Sequence, residues 1–183
     1  MNEELIRQIE EKYKALHHDP EVFMKGLLHS KPITYWDYTE VDTLLTLQKP
    51  RTDFPDEFIF IVYHQVTELL LRLIKHELQQ VVFAEKFSGK QMLEKVNRCN
   101  RYIDVLVSSF SVMSRGMDYD QYNQFRLSLA PASGFQSAQF REIELYCTNL
   151  INLVKTEHKK LVHDDMPVED VFDYMYWKDA GLN

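Results

Sequence analysis

The chain has 183 residues, enough for one sizeable hydrophobic core and about one domain. An apolar fraction of 45% and an aromatic fraction of 13% exclude a disordered chain. A net charge of -7, from 21 basic and 28 acidic residues, argues against nucleic acid and anionic membrane surfaces as partners. From the N-terminus, Leu5, Ile9, Tyr13 and Leu16 mark one stripe of a helix expected over 2–18, with charged residues on its other face. Asp19 followed by Pro20 predicts an N-cap and a first helical turn, and that helix is expected to reach Leu28. Ser30 to Pro32 breaks the pattern, and a helix is expected to begin near Asp37, behind the aromatic cluster Tyr35, Trp36 and Tyr38.

The prolines of the stretch Gln48 to Pro55 predict a loop. After it comes the most informative run in the chain, DEFIFIVYHQVTELLLRLIKHEL from Asp56 to Leu78. It reads as a long helix reaching about Phe83, with its first turns apolar nearly all round and expected to be buried on every side. Phe60, His64 and Glu68 are four residues apart and share a face. An imidazole in such a setting needs a hydrogen-bond partner or a ligand; a carbonyl or Glu68 would satisfy it structurally. Further helices are expected over 91–114, from a cap at Asp118 to about Leu129, over 135–162 with a break near Asn149, and over 168–177. Pro131 to Gly134 separates the helix ending near Leu129 from the one over 135–162. No stretch alternates with period two, so the fold class is all-α: a bundle of long antiparallel helices with short connections, expected as a single helical domain over 1–183.

Simple metal and nucleotide motifs are missing. No glutamate has a histidine three residues on, as a carboxylate-bridged di-metal bundle would require. There is no H-E-x-x-H, P-loop or G-x-G-x-x-G. The two cysteines, Cys99 and Cys147, form neither a C-x-x-C nor a zinc pattern. No apolar run approaches the roughly 18 residues of a membrane span, and the charged opening from Met1 to Glu11 does not resemble a signal peptide. A cytoplasmic setting is therefore expected. Tyr122 and Arg126 share a helix face just before a Pro-x-Ser-Gly loop, a placement suited to a carboxylate clamp and equally to a surface salt bridge. Ser133 to Ser137 gives a small-residue entry to a helix, where backbone can approach a ligand closely.

Three segments together resemble the tryptophan 2,3-dioxygenase family, all-helical haem enzymes. They are YWDYTEVDTLL (35–45), DEFIFIVYHQVTEL (56–69) and YNQFRLSLAPASGFQSAQFR (122–141). The resemblance covers nearly the whole chain but only the N-terminal part of the family sequence. It implies insertion of O2 across the indole C2–C3 bond of L-tryptophan to give N-formylkynurenine, in the kynurenine pathway, with haem b as cofactor. It implies that His64 accepts the indole N–H and that Phe60 walls the indole. Arg126 would hold the substrate carboxylate with help from Tyr122, and Ser133 and Gly134 would lie against haem and substrate. Tyr35 and Tyr38 would reach a neighbouring subunit's site in a homotetramer, and Phe110 would stand near the haem. The proximal haem histidine is expected beyond Asn183, leaving no metal ligand in this chain. The remainder is expected as the rest of a larger haem dioxygenase or as a second chain. The alternative is a haem-less helical module that binds an indole amino acid or assembles with partner helices; a Soret band separates the two.

Overall fold

Several helices start where the sequence supplies side-chain caps. The computed structural model describes residues 3–130, 132–163 and 165–178; Asn2 and Pro131, used in the sequence reading, lie outside them. Its contacts divide the chain into one unit over 1–47 and a second over 48–183. In the first unit, α1 spans Glu3–Ala15 and α2 spans Pro20–Leu27, with Asp19 accepting from the Glu21 amide at 2.9 Å. Tyr13 and Phe23 join the two at 4.5 Å between ring centroids. The helix expected near Asp37 starts earlier and divides into α3 (Tyr35–Tyr38) and α4 (Val41–Leu44). Thr34 caps α3 reciprocally with Asp37, and Glu40 at φ 52° turns the chain between the two helices.

The second unit is built on α5, Pro55–Val82, 28 residues long. Its N-cap, Phe54, offers no side-chain acceptor. Glu57 fastens the preceding loop instead, accepting the amides of Arg51 at 2.8 Å and Thr52 at 2.7 Å, together with the Thr52 hydroxyl. The next helix, α6, spans Gly89–Ser109 behind a capping box of Ser88 and Gln91. Lys95 meets Gln80 and Glu77, Arg98 meets Glu77, and Cys99 packs with Leu71 and Ile74. Rising positions on α6 thus face falling positions on α5, so the two run antiparallel.

The helix expected over 91–114 stops at Ser109 and resumes as α7, Ser111–Gly116. The Ser108 and Ser109 hydroxyls donate back to the carbonyls of Val105 (3.0 Å) and Leu106 (2.9 Å), a competition with the helical ladder that bends helices. The next helix, α8, spans Tyr119–Phe125 and tightens into a 3-10 turn over Arg126–Leu129. It is tied to the start of α5 by the Asp118 amide, which donates to Asp56 at 2.5 Å, and by the Asp56 amide, which donates to Gln121 at 3.3 Å.

Following it, α9 spans only Ala138–Cys147. Gln139 donates to Glu68, Lys75 pairs with Glu142 at 2.6 Å, and Gln79 donates to Tyr146, so α9 runs parallel to α5. The helix expected to continue to Val162 gives way because Leu153 and Val154 bury against Val171 and Met175. They do so by extended pairing, with an antiparallel bridge between Val154 and Met175. The same pairing limits the expected helix over 168–177 to α10, Val168–Val171, and a 3-10 turn, Phe172–Tyr174. Among the described residues no further strand pairing occurs, and the all-α class holds.

One side of α5 is less covered than its composition implied. Phe58, Val66, Leu69 and Leu73 form a stripe that stays 42–53% exposed. The expectation of burial on every side is corrected: in the described residues, α6 and α9 cover the stripe of Leu71, Ile74 and Leu78 and leave this one open. No described helix is long and apolar enough to cross a membrane.

Two buried carboxylates carry much of the polar order. Glu57 is 1% and Glu77 4% exposed. Burial acts most strongly on each and works against its charge. For Glu57, the bonds from Thr52 and the Arg51 amide outweigh it; for Glu77, Lys95 and Arg98 do. Both acids therefore sit below the usual carboxylate range. A carboxyl depressed in the folded state stabilises above its unfolded value, and that contribution fades as pH falls through the folded value. Glu77→Gln should cost about 1–3 kcal/mol at neutral pH, because Lys95 and Arg98 lose their partner. The double change Glu57→Gln, Glu77→Gln should flatten the acid limb of stability in urea titrations. An acid limb as steep as the parent's would contradict this assignment.

Candidate functional site

The stripe of α5 that packs Leu71, Ile74 and Leu78 continues upward through Thr67, His64 and Phe60. There it meets a cavity of about 590 Å3 rather than a neighbouring helix. The walls come from α5 (Phe60, Tyr63, His64, Thr67, Glu68, Leu71), the α6–α7 junction (Phe110, Met113), α8 (Tyr122), the loop into α9 (Ser133, Gly134, Phe135, Ser137) and α9 itself (Phe140, Arg141). The size and apolar lining with a few convergent polar groups are those of a small-molecule or cofactor site.

His64 is fixed by its own helix. Its Nδ1 lies 2.8 Å from the Phe60 carbonyl one turn earlier, and its ring sits 4.1 Å from the Phe60 ring. A carbonyl only accepts, so Nδ1 carries the proton and neutral His64 keeps a bare Nε2 as an acceptor. Of the two partners open in the sequence, the carbonyl holds the imidazole, while Glu68 receives Gln139 at 2.9 Å. Phe60 is held from behind by Phe125, which is fully buried, at 5.6 Å edge-on, and Tyr122 stands 6.2 Å from the Phe60 ring.

The loop into α9 is fixed by a reciprocal cap. The Ser133 oxygen accepts from the Phe135 amide at 3.3 Å, and Gln136 accepts from the Ser133 amide at 3.2 Å. Gly134 has no positive φ, and a Cβ there would meet no atom within 4 Å. Its own fold does not require a glycine at that point of the cavity wall.

The structure brings together Phe60, His64, Phe110, Tyr122, Ser133 and Gly134. Arg126 is not among the lining residues. It is exposed at the C-cap of α8, with its guanidinium 5.6 Å from the Tyr122 ring centroid. Tyr35 and Tyr38 belong to α3 in the first unit and are largely exposed. The sequence reading passed over Tyr63, Thr67, Met113, Phe140 and Arg141 as site residues, and took Glu68 only as a partner for His64. For Thr67 the signal was available in the helical period that joins it to Phe60 and His64. Arg141 is the cation of the cavity wall, its side chain only 13% exposed.

The tautomer of His64 is directly measurable. Nitrogen NMR of the folded protein at a pH where His64 is neutral should find the proton on Nδ1 and Nε2 bare. The opposite tautomer would remove the acceptor from the cavity.

Comparison with known proteins finds one family. The family model for tryptophan 2,3-dioxygenase matches residues 25–172. A tryptophan 2,3-dioxygenase of Ruegeria pomeroyi is 33% identical over 156 residues, covering 83% of this chain and 56% of the relative. One of Exiguobacterium sibiricum is 35% identical over 153 residues, covering 78% and 53%. One of Herpetosiphon aurantiacus is 42% identical over 119 residues, covering 63% and 45%. The chain spans about half the length of the curated relatives it matches. With a family match over most of its length and its all-helical fold, the chain belongs to the tryptophan 2,3-dioxygenase family.

Proposed function

We propose that this chain forms the substrate side of a haem-dependent dioxygenase that oxidises L-tryptophan to N-formylkynurenine. The observation that carries the reading is His64 on the wall of an aromatic cavity, with its Nδ1 2.8 Å from the Phe60 carbonyl, which leaves Nε2 as the nitrogen able to accept. Indole is flat and apolar, with one N–H to donate. The cavity offers the flat wall in Phe60 and the single acceptor in His64. The residues fit a large planar cofactor as well: Phe60, Phe110, Ser133 and Gly134 line one cavity, and the open space at Gly134 admits close approach. Those four would hold the haem. When bound, it supplies the activation of dioxygen, while the protein supplies binding and orientation.

In this reading His64 holds the indole nitrogen and fixes which ring edge faces the cofactor. Phe60 is a wall of the slot. Arg126, beside Tyr122, takes the substrate carboxylate, and Tyr122 assists it. Ser133 and Gly134 bring backbone against the bound group. Tyr35 and Tyr38 act from a neighbouring copy, in a homotetramer. The proximal histidine belongs to the part of the relatives' length that this chain does not span.

The assay uses this chain both alone and joined to, or mixed with, the unspanned portion of a relative. Tryptophan and isotopically labelled dioxygen should give a product carrying both labelled oxygen atoms. His64→Ala should slow tryptophan by about tenfold, the worth of one buried hydrogen bond. 1-Methyltryptophan, which has no N–H to donate, should respond little. An equal loss for both substrates would remove His64 from this role.

Arg126→Lys tests the clamp. Lysine keeps the charge but loses the planar two-point contact, a cost of about 1.5–3 kcal/mol in kcat/KM for tryptophan. Tryptamine has no carboxylate and should lose much less. Matching losses for tryptophan and tryptamine would show that Arg126 does not hold the acid group.

A further inference from the structure

Level with Phe60, an indole meets one acceptor on α5, the Nε2 of His64. One helical turn further down, the same face presents an acceptor that this assignment leaves unused. Glu68 lines the cavity and is half-buried. It is held from α9, because Gln139 Nε2 donates to the Glu68 Oε2 at 2.9 Å and to the Glu68 carbonyl at 2.8 Å. The other carboxylate oxygen, Oε1, accepts no bond from the described residues and is not closed off from solvent. Thr67 beside it donates its hydroxyl to the Tyr63 carbonyl at 3.0 Å, which leaves that oxygen to accept. Thr67 and Glu68 thus both offer acceptors to the cavity and neither offers a donor. Arg141, the cation of the wall, is already engaged by Glu144 and Tyr176. A ligand edge pressed over Oε1 without a donor would strip a carboxylate of water and return no bond, a cost comparable to a charged hydrogen bond.

The order of groups along the cavity sets which part of a ligand arrives at Glu68. Arg126 stands beside Tyr122, Tyr122 beside Phe60, and Phe60 one turn above His64. With the acid end of tryptophan at Arg126 and its ring nitrogen at His64, the edge that continues down α5 carries C7 and then C6. C7 is close to the ring nitrogen and stays near the level of His64. A substituent on C6 lies further along, nearer the ~5–6 Å between side chains one turn apart. We propose that Glu68 is a specificity-determining residue of the cavity, accepting on Oε1 a hydrogen-bond donor carried at C6 of the indole. The proposal rests on the indole reading above. It favours indoles hydroxylated or aminated at that position over those whose substituent cannot donate.

The experiment measures dissociation constants of two pairs of ring-substituted tryptophans. It uses this chain alone or with the unspanned portion of a relative, whichever binds L-tryptophan more tightly. One pair is 6-hydroxytryptophan and 6-fluorotryptophan. The other is 4-hydroxytryptophan and 4-fluorotryptophan, whose substituents lie on the opposite edge of the ring. 6-Hydroxytryptophan should bind about tenfold or more tighter than its fluoro partner, the worth of a charged hydrogen bond. The 4-substituted pair should show no such preference. Glu68→Gln should bring the 6-substituted pair to near parity. Gln139 must keep its nitrogen toward the carbonyl of residue 68, so the new amide turns its oxygen to Gln139 and its NH2, a donor, to the cavity. If L-tryptophan does not bind, or binds His64→Ala equally well, the indole reading fails and this proposal falls with it. If tryptophan binds and depends on His64, the proposal alone is overturned by parity of the wild-type 6-substituted pair or by an equal preference at position 4. A folded Glu68→Gln that keeps the preference overturns it too. If Glu68→Gln fails to fold by thermal melting, the comparison of positions 6 and 4 in the wild type decides.

Discussion

The second unit depends on one helical stripe being packed at one end and left open at the other. Phe60, His64, Thr67, Leu71, Ile74 and Leu78 fall on a single side of α5 because three- and four-residue steps return to the same face. At the lower end Leu71 and Ile74 are closed off by Cys99, Tyr102 and Leu106 of α6 and Ile143 of α9. At the upper end the chain leaves α6 at the serine-weakened junction and crosses by way of α7 and α8, so no helix fills the space. The cavity is thus a consequence of where α6 stops.

That arrangement explains why an imidazole can sit on an otherwise greasy stripe. Its Nδ1 is satisfied within its own helix by the Phe60 carbonyl, so the bond moves with α5 and needs no neighbour. The residue lines a cavity in which a ligand can supply a bond to its other nitrogen. The buried acids serve the same end from a distance. Glu57 fixes the loop that starts α5, and Glu77 locks the lower half of α5 to α6 through Lys95 and Arg98. With both ends of the helix held, the orientation of its upper stripe is determined.

Much of this was legible in the sequence. The period of the run from Asp56 to Leu78 gave α5 and placed Phe60 and His64 on one face. The caps at Asp19 and Asp118 sit where helices begin. The resemblance picked out six residues that meet at one cavity. What the sequence did not reveal depends on tertiary competition. Leu153, Val154 and Met175 have a helical pattern but find a better burial by extended pairing. The charged company of Arg141 in the string QFREIE gave no hint of a buried aromatic surround, because Tyr176 and Trp177 arrive from more than thirty residues away. Arg126 shares a face with Tyr122 as its spacing required, yet that spacing could not say whether the guanidinium would line the cavity.

The central claim is that the open end of the α5 stripe is an indole site with His64 Nε2 as its acceptor. A crystal structure of the protein bound to L-tryptophan tests it most directly. The account expects the indole against Phe60 with its nitrogen within hydrogen-bond distance of His64 Nε2. An indole bound elsewhere, or one in the cavity with its nitrogen turned away from His64, would contradict it.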